Sequence, residues 1–199
     1  MIISSAKVLA PVLLLAAFPA AGMAQDVTAI LETLKKSMGG NSSAVLRISA
    51  AGSAYTAKGA DGAREHVRIE PFTRELDPAS DESVFWTTPH GFLAGAASGK
   101  ATATKETLFG TPYQVVVFTT PGGRQVRGYV NDQNVLERTR TETTDPKLGK
   151  VLLETVFLQW GDFKGVRYPT VVIHKENDQV ARILIVDKVD TAASRPPEG

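Results

Sequence analysis

Residue types that most often bind metals or act as nucleophiles are sparse in this 199-residue chain. The three histidines, His66, His90 and His174, lie far apart in the sequence. None belongs to an HxH, HExxH or HxxxH pattern, the spacings by which neighbouring histidines hold zinc. The chain has no cysteine, which excludes disulfides, thiol nucleophiles and thiolate metal sites. The sequence therefore predicts no metal and no other cofactor.

Motifs for covalent catalysis and phosphate binding are also missing. No GxSxG nucleophile elbow occurs, and the glycine pair Gly122–Gly123 precedes a predicted strand rather than a helix, so it indicates a hairpin turn. We therefore predict no catalytic residue and expect a protein that is not an enzyme. The weakest of our alternatives is an enzyme with an unrecognised site around Trp86, His90 and Asp162.

Large aromatic side chains are the remaining candidates for a functional role. Their apolar area can fill a core or line a ligand cavity, and for most of them core packing is the favoured interpretation. If the protein has a ligand-binding face, we expect it to contain six residues of the β-rich region: Trp86, His90, Phe92, Trp160, Phe163 and Tyr168.

The elements that would position these residues begin with one clear helix. Over residues 26–40, apolar residues recur at helical spacing: Val27, Ile30, Leu31, Leu34 and Met38. Asp26 is a typical N-cap, and the pair Gly39–Gly40 ends the pattern.

The rest of the chain predicts strands joined by short turns, with a short helix after Pro89. Turn signals occur at Pro121–Arg124, Asn131–Asn134 and Asn177–Gln179. Short connections favour antiparallel pairing. Alternation in the last predicted strand, residues 180–190, indicates that Ile183, Ile185 and Val189 share one face. We expect an α+β fold, with an N-terminal helix packed on a curved antiparallel sheet of about six to nine strands.

Three segments carry a resemblance to a known family. Trp86–Ala96 (WTTPHGFLAGA), Gly128–Thr141 (GYVNDQNVLERTRT) and Leu153–Ile173 (LETVFLQWGDFKGVRYPTVVI) resemble the N-terminal accessory region of exported bacterial metallo-β-lactamase-fold hydrolases. The hydrolase signature HxHxDH is absent, so no zinc ligand of that family has a counterpart here. This resemblance implies a stand-alone accessory domain or a fragment of a longer hydrolase.

A second resemblance rests on Asp162–Pro169 (DFKGVRYP), which is similar to an element of lipoprotein-carrier-like sheets. In such proteins a curved antiparallel half-barrel encloses an apolar ligand. The first resemblance implies a non-catalytic accessory or binding domain with a hydrolase as its partner. The second implies the alternative, a periplasmic carrier whose partner is a lipid or other apolar molecule.

The N-terminus has the pattern of a secretory signal over residues 1–24. Lys7 precedes the apolar run Val8–Phe18, and Gly22 and Ala24 are small residues suited to cleavage after Ala24. The run is well short of the roughly 20 apolar residues that span a bilayer. We therefore expect a periplasmic or secreted protein with no membrane span after signal removal. We expect a single domain over residues 26–190 and a disordered tail over residues 191–199.

Charge argues against a polyanionic partner. Signal removal takes away Lys7 and no acidic residue, so 21 basic and 21 acidic residues remain. A neutral chain has no net attraction for nucleic acid or an anionic membrane surface. We therefore expect no nucleic-acid partner.

Overall fold

The computed structural model describes residues 26–39, 45–58, 63–77, 84–98, 100–146 and 149–192. The predicted signal peptide, residues 1–24, lies outside the described residues, as does the predicted tail beyond residue 192. Most of the polar loop between residues 77 and 83 also lies outside them.

Helix α1, Val27–Met38, has the limits that the sequence predicts. The Asp26 carboxylate accepts a hydrogen bond of 2.9 Å from the backbone N–H of Thr28. Gly39 ends the helix in the left-handed conformation, at φ 65°, where a residue without a Cβ is favoured. The stripe faces the interior, with three of its residues buried: Ile30, Leu34 and Met38.

Helix α2, Pro89–Ser98, follows one turn of 3-10 helix at Phe85–Thr87. The Thr88 hydroxyl accepts a hydrogen bond of 3.1 Å from the Gly91 N–H. Pro89 occupies the first helical position, where its missing N–H costs nothing. The helix lies close to the sheet because Gly128 has no side chain, and a Cβ there would collide with the ring of Phe92.

Nine strands form one sheet in the order β2-β1-β9-β8-β7-β6-β5-β4-β3, and every neighbouring pair is antiparallel. The strands are β1 (Val45–Lys58), β2 (Ala63–Leu76), β3 (Thr102–Leu108), β4 (Thr111–Thr119), β5 (Gln125–Val130), β6 (Leu136–Asp145), β7 (Gly149–Phe163), β8 (Val166–Glu176) and β9 (Gln179–Ala192). This arrangement confirms the predicted α+β class and its antiparallel sheet.

The sheet has an inner face toward the helices and an outer face away from them. The main core cluster joins the buried residues of α1 and α2 to inner residues such as Val116, Phe157 and Val172. Along β8, Tyr168 and Val172 both point inward. The turn between β7 and β8 is held by a hydrogen bond of 3.0 Å from the Gly165 N–H to Asp162 Oδ1.

Two details differ from the sequence analysis. Strand β3 was not predicted, because as an edge strand it buries only Ala103. The alternation in β9 is interrupted by a bulge, since Ser49 pairs with Lys188 whereas Ala50 pairs with Val186. Val189 therefore points inward into the core, opposite to Ile185, and the predicted shared face is wrong.

The outer face contains a buried carboxylate, Glu154, which is 2% exposed. Its oxygens lie 3.2 Å from Arg138, 2.5 Å from Arg140 and 3.5 Å from Lys175. We call these four residues the Glu154 cluster. Because they come from β6, β7 and β8, the cluster ties three central strands together.

Replacing Glu154 with Gln should destabilise the protein by roughly 3 to 5 kcal/mol, because three cations would lose the carboxylate that compensates them. Chemical denaturation of the wild type and the variant measures the loss. Glu142→Gln is the control. Glu142 lies on the same face of β6 as Arg138 and Arg140, but it forms an exposed ion pair, at 3.9 Å from Lys150. Equal stability of the two variants would contradict a structural role for the cluster.

Candidate functional site

A cavity of about 550 Å³ opens on the inner face of the sheet. Its floor is formed by β1, β2, β7, β8 and β9, and the 3-10 turn before α2 contributes Thr87 and Thr88 to its wall. Helix α2 instead packs on the other half of the sheet, where Phe92 lies against Gly128. The cavity is thus the part of the inner face that this helix leaves uncovered.

The cavity floor is largely apolar. Apolar residues from five different strands contribute to it, among them Ile48, Ala50, Phe72, Phe157, Val172 and Leu184. Several of them also belong to the main core cluster, so the floor is continuous with the protein interior. An apolar ligand placed here would extend the hydrophobic core outward rather than occupy a separate chamber.

Polar groups lie at defined positions in this apolar surface. The ring of Tyr168 lines the cavity, and burial raises the pKa of its hydroxyl, which therefore stays protonated. His174 also lines the cavity, and its Nδ1 lies 3.2 Å from the hydroxyl of Thr155. Burial, and then the charges of Arg182 and Arg74, lower the pKa of His174 to about 4. Neither group is charged near neutral pH.

His90 lies directly behind the cavity wall. It is 1% exposed, and its ring stacks on that of Tyr168 with centroids 5.8 Å apart. Neither ring nitrogen has a hydrogen-bond partner among the described residues. Burial lowers the pKa of His90 to about 4, so the imidazole is neutral at pH 7.

The structure distributes the six sequence-predicted ligand residues unevenly. Only Tyr168 lines the cavity. Trp86 and Phe92 pack against Phe118 beneath α2. Trp160 packs against Phe157, and Phe163 also borders the core. Tyr168 and His90 are thus brought together at the cavity.

The remaining floor residues were missed because they are aliphatic or belong to strands far apart in sequence. Leu184 and Val172 pair across β8 and β9, and the register alone places them side by side. The usable signal was the period-two alternation of β8, which puts Val172 on the same face as Tyr168. No comparable signal marked β1 or β2.

A second pocket, of about 730 Å³, lies near the turn between β4 and β5 and is polar. Its basic groups include Arg127, which is 3.0 Å from Glu106, and Arg140, which belongs to the Glu154 cluster. These cations already have carboxylate partners within the protein. The apolar cavity is therefore the stronger candidate site.

Within the described ranges, no three His, Asp or Glu side chains are grouped in a way that could hold a metal ion. No helix in those same ranges has the length and apolar character required to cross a membrane.

No protein-family model and no curated protein matches this chain. Three solved structures are similar in fold. A LolA-superfamily protein from Nitrosomonas europaea is 13% identical, with a TM-score of 0.47, over 85% of this chain and 94% of that one. An outer-membrane lipoprotein-sorting protein domain from Vibrio parahaemolyticus is 6% identical, with a TM-score of 0.45, over 86% and 96% of the two chains.

The third structure, a DUF1329-family protein from Desulfovibrio piger, is 9% identical, with a TM-score of 0.44, over 85% of this chain and 95% of that one. These comparisons give no support to the expected relation with metallo-β-lactamase-fold hydrolases.

Buried His90 makes stability depend on pH in a defined direction. The folded protein disfavours the imidazolium, whereas the unfolded chain binds a proton near pH 6.5. The free energy of unfolding is therefore unaffected by this group above pH 6.5, and it decreases as the pH falls from 6.5 toward 4. His90→Phe should remove roughly 2 to 3 kcal/mol of the stability difference between pH 7.5 and pH 4.5. Urea denaturation at the two pH values measures this difference.

His174 should maintain part of the acid sensitivity in that variant, because its pKa is lowered in the same direction. His66→Gln is the control, since His66 is exposed and hydrogen-bonds to the Ser53 hydroxyl at 2.9 Å. If His90→Phe and His66→Gln gave the same pH dependence, His90 would not be the buried group that titrates.

Proposed function

We propose that this protein binds an apolar, lipid-like molecule in the inner-face cavity and acts as a carrier rather than as a catalyst. The observation that carries the proposal is the open apolar floor between the strands of the half-barrel. Ligand cavities of roughly 300 to 1,000 Å³ with mostly apolar walls and a few polar groups are typical of small-molecule sites. The cavity has both properties.

The size of the hydrophobic effect favours a long apolar ligand. Each buried methylene contributes about 0.8 kcal/mol. Association of two molecules costs at least about 4 kcal/mol in lost translational and rotational freedom. A ligand must therefore bury several methylenes before binding becomes favourable. An acyl chain meets this requirement, whereas a small polar metabolite does not.

The compartment belongs to the same proposal. The signal-like pattern of residues 1–24 supports export, and we propose that the carrier works in the periplasm or outside the cell. A soluble carrier is needed there because an acyl lipid is poorly soluble between membranes. The expected partnership with a hydrolase has no specific observation behind it in the described residues, so we rest the proposal on the cavity alone.

Of the six sequence-predicted ligand residues, the proposal retains Tyr168 as a direct contact. His90 would support that contact from behind through ring stacking. Trp86, Phe92, Trp160 and Phe163 would act by packing, since they lie among core side chains away from the cavity lining.

Placing a large side chain in the cavity should weaken binding. Ala54 lines the cavity and is partly exposed, so Ala54→Trp places an indole where the ligand would lie. We expect the affinity for an apolar fluorescent probe, measured by titration, to fall about tenfold or more, because at least 1.4 kcal/mol of contact would be lost. Mass spectrometry of organic extracts should show co-purifying lipid with the wild type and much less with the variant.

Ala51→Trp is the matched control. Ala51 lies three residues away on the same strand, and it pairs with the outward-facing, half-exposed Ile185. It should bind the probe like the wild type. Equal binding by both variants would place the apolar site elsewhere, and absence of probe binding by the wild type would contradict the proposed function.

A further inference from the structure

The side chains and backbone that line the cavity carry an excess of positive charge. Five of the lining residues are cationic and two, Glu154 and Glu176, are anionic. Glu154 and one of the cations, Lys175, already pair within the Glu154 cluster, which leaves four cationic lining residues and one anionic residue. The excess is local, because the whole chain has a formal net charge of only +1. A ligand with a negative group would fit this surface better than a neutral one.

The pairing register places Arg182, whose side chain is exposed, among residues that line the cavity. Arg182 of β9 pairs with His174 of β8 on one side and with Ala54 of β1 on the other, and all three residues line the cavity. Directly paired residues have Cβ atoms about 5 Å apart. Arg182 therefore stands in a row of inward-facing side chains, beside the imidazole of His174.

Arg182 has no carboxylate within ion-pair distance in the part of the chain that the structure describes. Arg74 lies on the same inner face, where it pairs with the core residue Ile48. Arg74, Arg182 and His174 all line the cavity, and the charges of the two arginines help to lower the pKa of His174. Arg182 thus places a positive group beside the apolar floor.

We propose that the ligand is an acyl amphiphile with an anionic head group, whose chain lies on the apolar floor and whose head is bound by Arg182. This inference rests on the proposed function and specifies its ligand class. A guanidinium suits the task because its planar fork of N–H groups matches the oxygens of a carboxylate or a phosphate. Neutral His174, which pairs with Arg182, adds a polar group near the head without adding charge.

The test is a displacement titration with a bound apolar fluorescent probe. Three competitors share one hydrocarbon chain and differ only at the head: oleate, oleyl phosphate and methyl oleate. We expect the two anions to bind about tenfold more tightly than the neutral ester, the effect of one charge-assisted hydrogen-bonded contact. The advantage should shrink as the salt concentration rises, because part of the site is open to solvent.

Two substitutions distinguish charge from packing. Arg182→Met should remove most of the preference for the anions and leave the affinity for methyl oleate unchanged. Arg182→Lys should retain part of the preference. Arg68→Met is the matched control, because Arg68 lies exposed on β2, opposite Ser53 in the register, and does not line the cavity. The circular dichroism spectrum of each variant, compared with that of the wild type, checks that the fold is maintained.

Equal displacement by all three competitors, with no effect of Arg182→Met, would overturn the charged-head inference and leave the apolar carrier intact. Displacement by none of them would overturn both. Inorganic phosphate alone should not displace the probe. If inorganic phosphate displaced the probe at the same concentration as oleyl phosphate, the site would be one for a free anion, and the amphiphile inference would be wrong. A difference between oleate and oleyl phosphate would identify which anionic head Arg182 prefers.

Discussion

One geometric constraint organises this protein: a sheet of nine strands has a wider inner face than two short helices can cover. The helices contain 12 and 10 residues, so at 1.5 Å per residue each is less than about 20 Å long. Neighbouring strands are about 4.8 Å apart, and nine of them extend for nearly 40 Å. The remaining inner surface either stays open or binds something, and here it forms the apolar cavity.

The core shows the consequence of placing apolar helix α2 over one half of the sheet. Phe92 and Phe118 pack edge to face beneath it, and the absence of a side chain at Gly128 lets the helix approach. Ring nitrogens of His90, Trp86 and Trp160 are buried without partners among the described residues. Unpaired polar groups of this kind lower stability, so tight packing around them must compensate for the loss.

Local signals explain how much of this fold could be predicted. The caps of α1 and the turn held by Asp162 and Gly165 depend on neighbours in sequence, and the sequence reveals them. The bulge in β9 depends on which residues of β1 lie opposite, and no local pattern contains that information. For the same reason the inward position of Val189 could not be inferred from alternation.

The candidate site was predictable only in part. Tyr168 could be named because a large aromatic residue is conspicuous in the sequence. Leu184 could not, because an aliphatic residue in a strand looks the same whether it faces a core or a cavity. Arg182 could not be named either, because a polar residue in an alternating strand is ordinarily expected to face solvent. Its position became informative only when the register placed it between Ala54 and His174.

The net charge of the whole chain does not reveal how charge is distributed locally. Equal numbers of basic and acidic residues exclude strong long-range attraction to a polyanion, because that attraction depends on the summed field. They do not fix the local field at a cavity, where the distances between charged groups are short. Here Glu154 is neutralised on the outer face by its own cluster, whereas Arg182 faces inward without a carboxylate beside it in the described part of the chain. A chain neutral as a whole can therefore present a positive, apolar cavity, a combination suited to an anionic amphiphile.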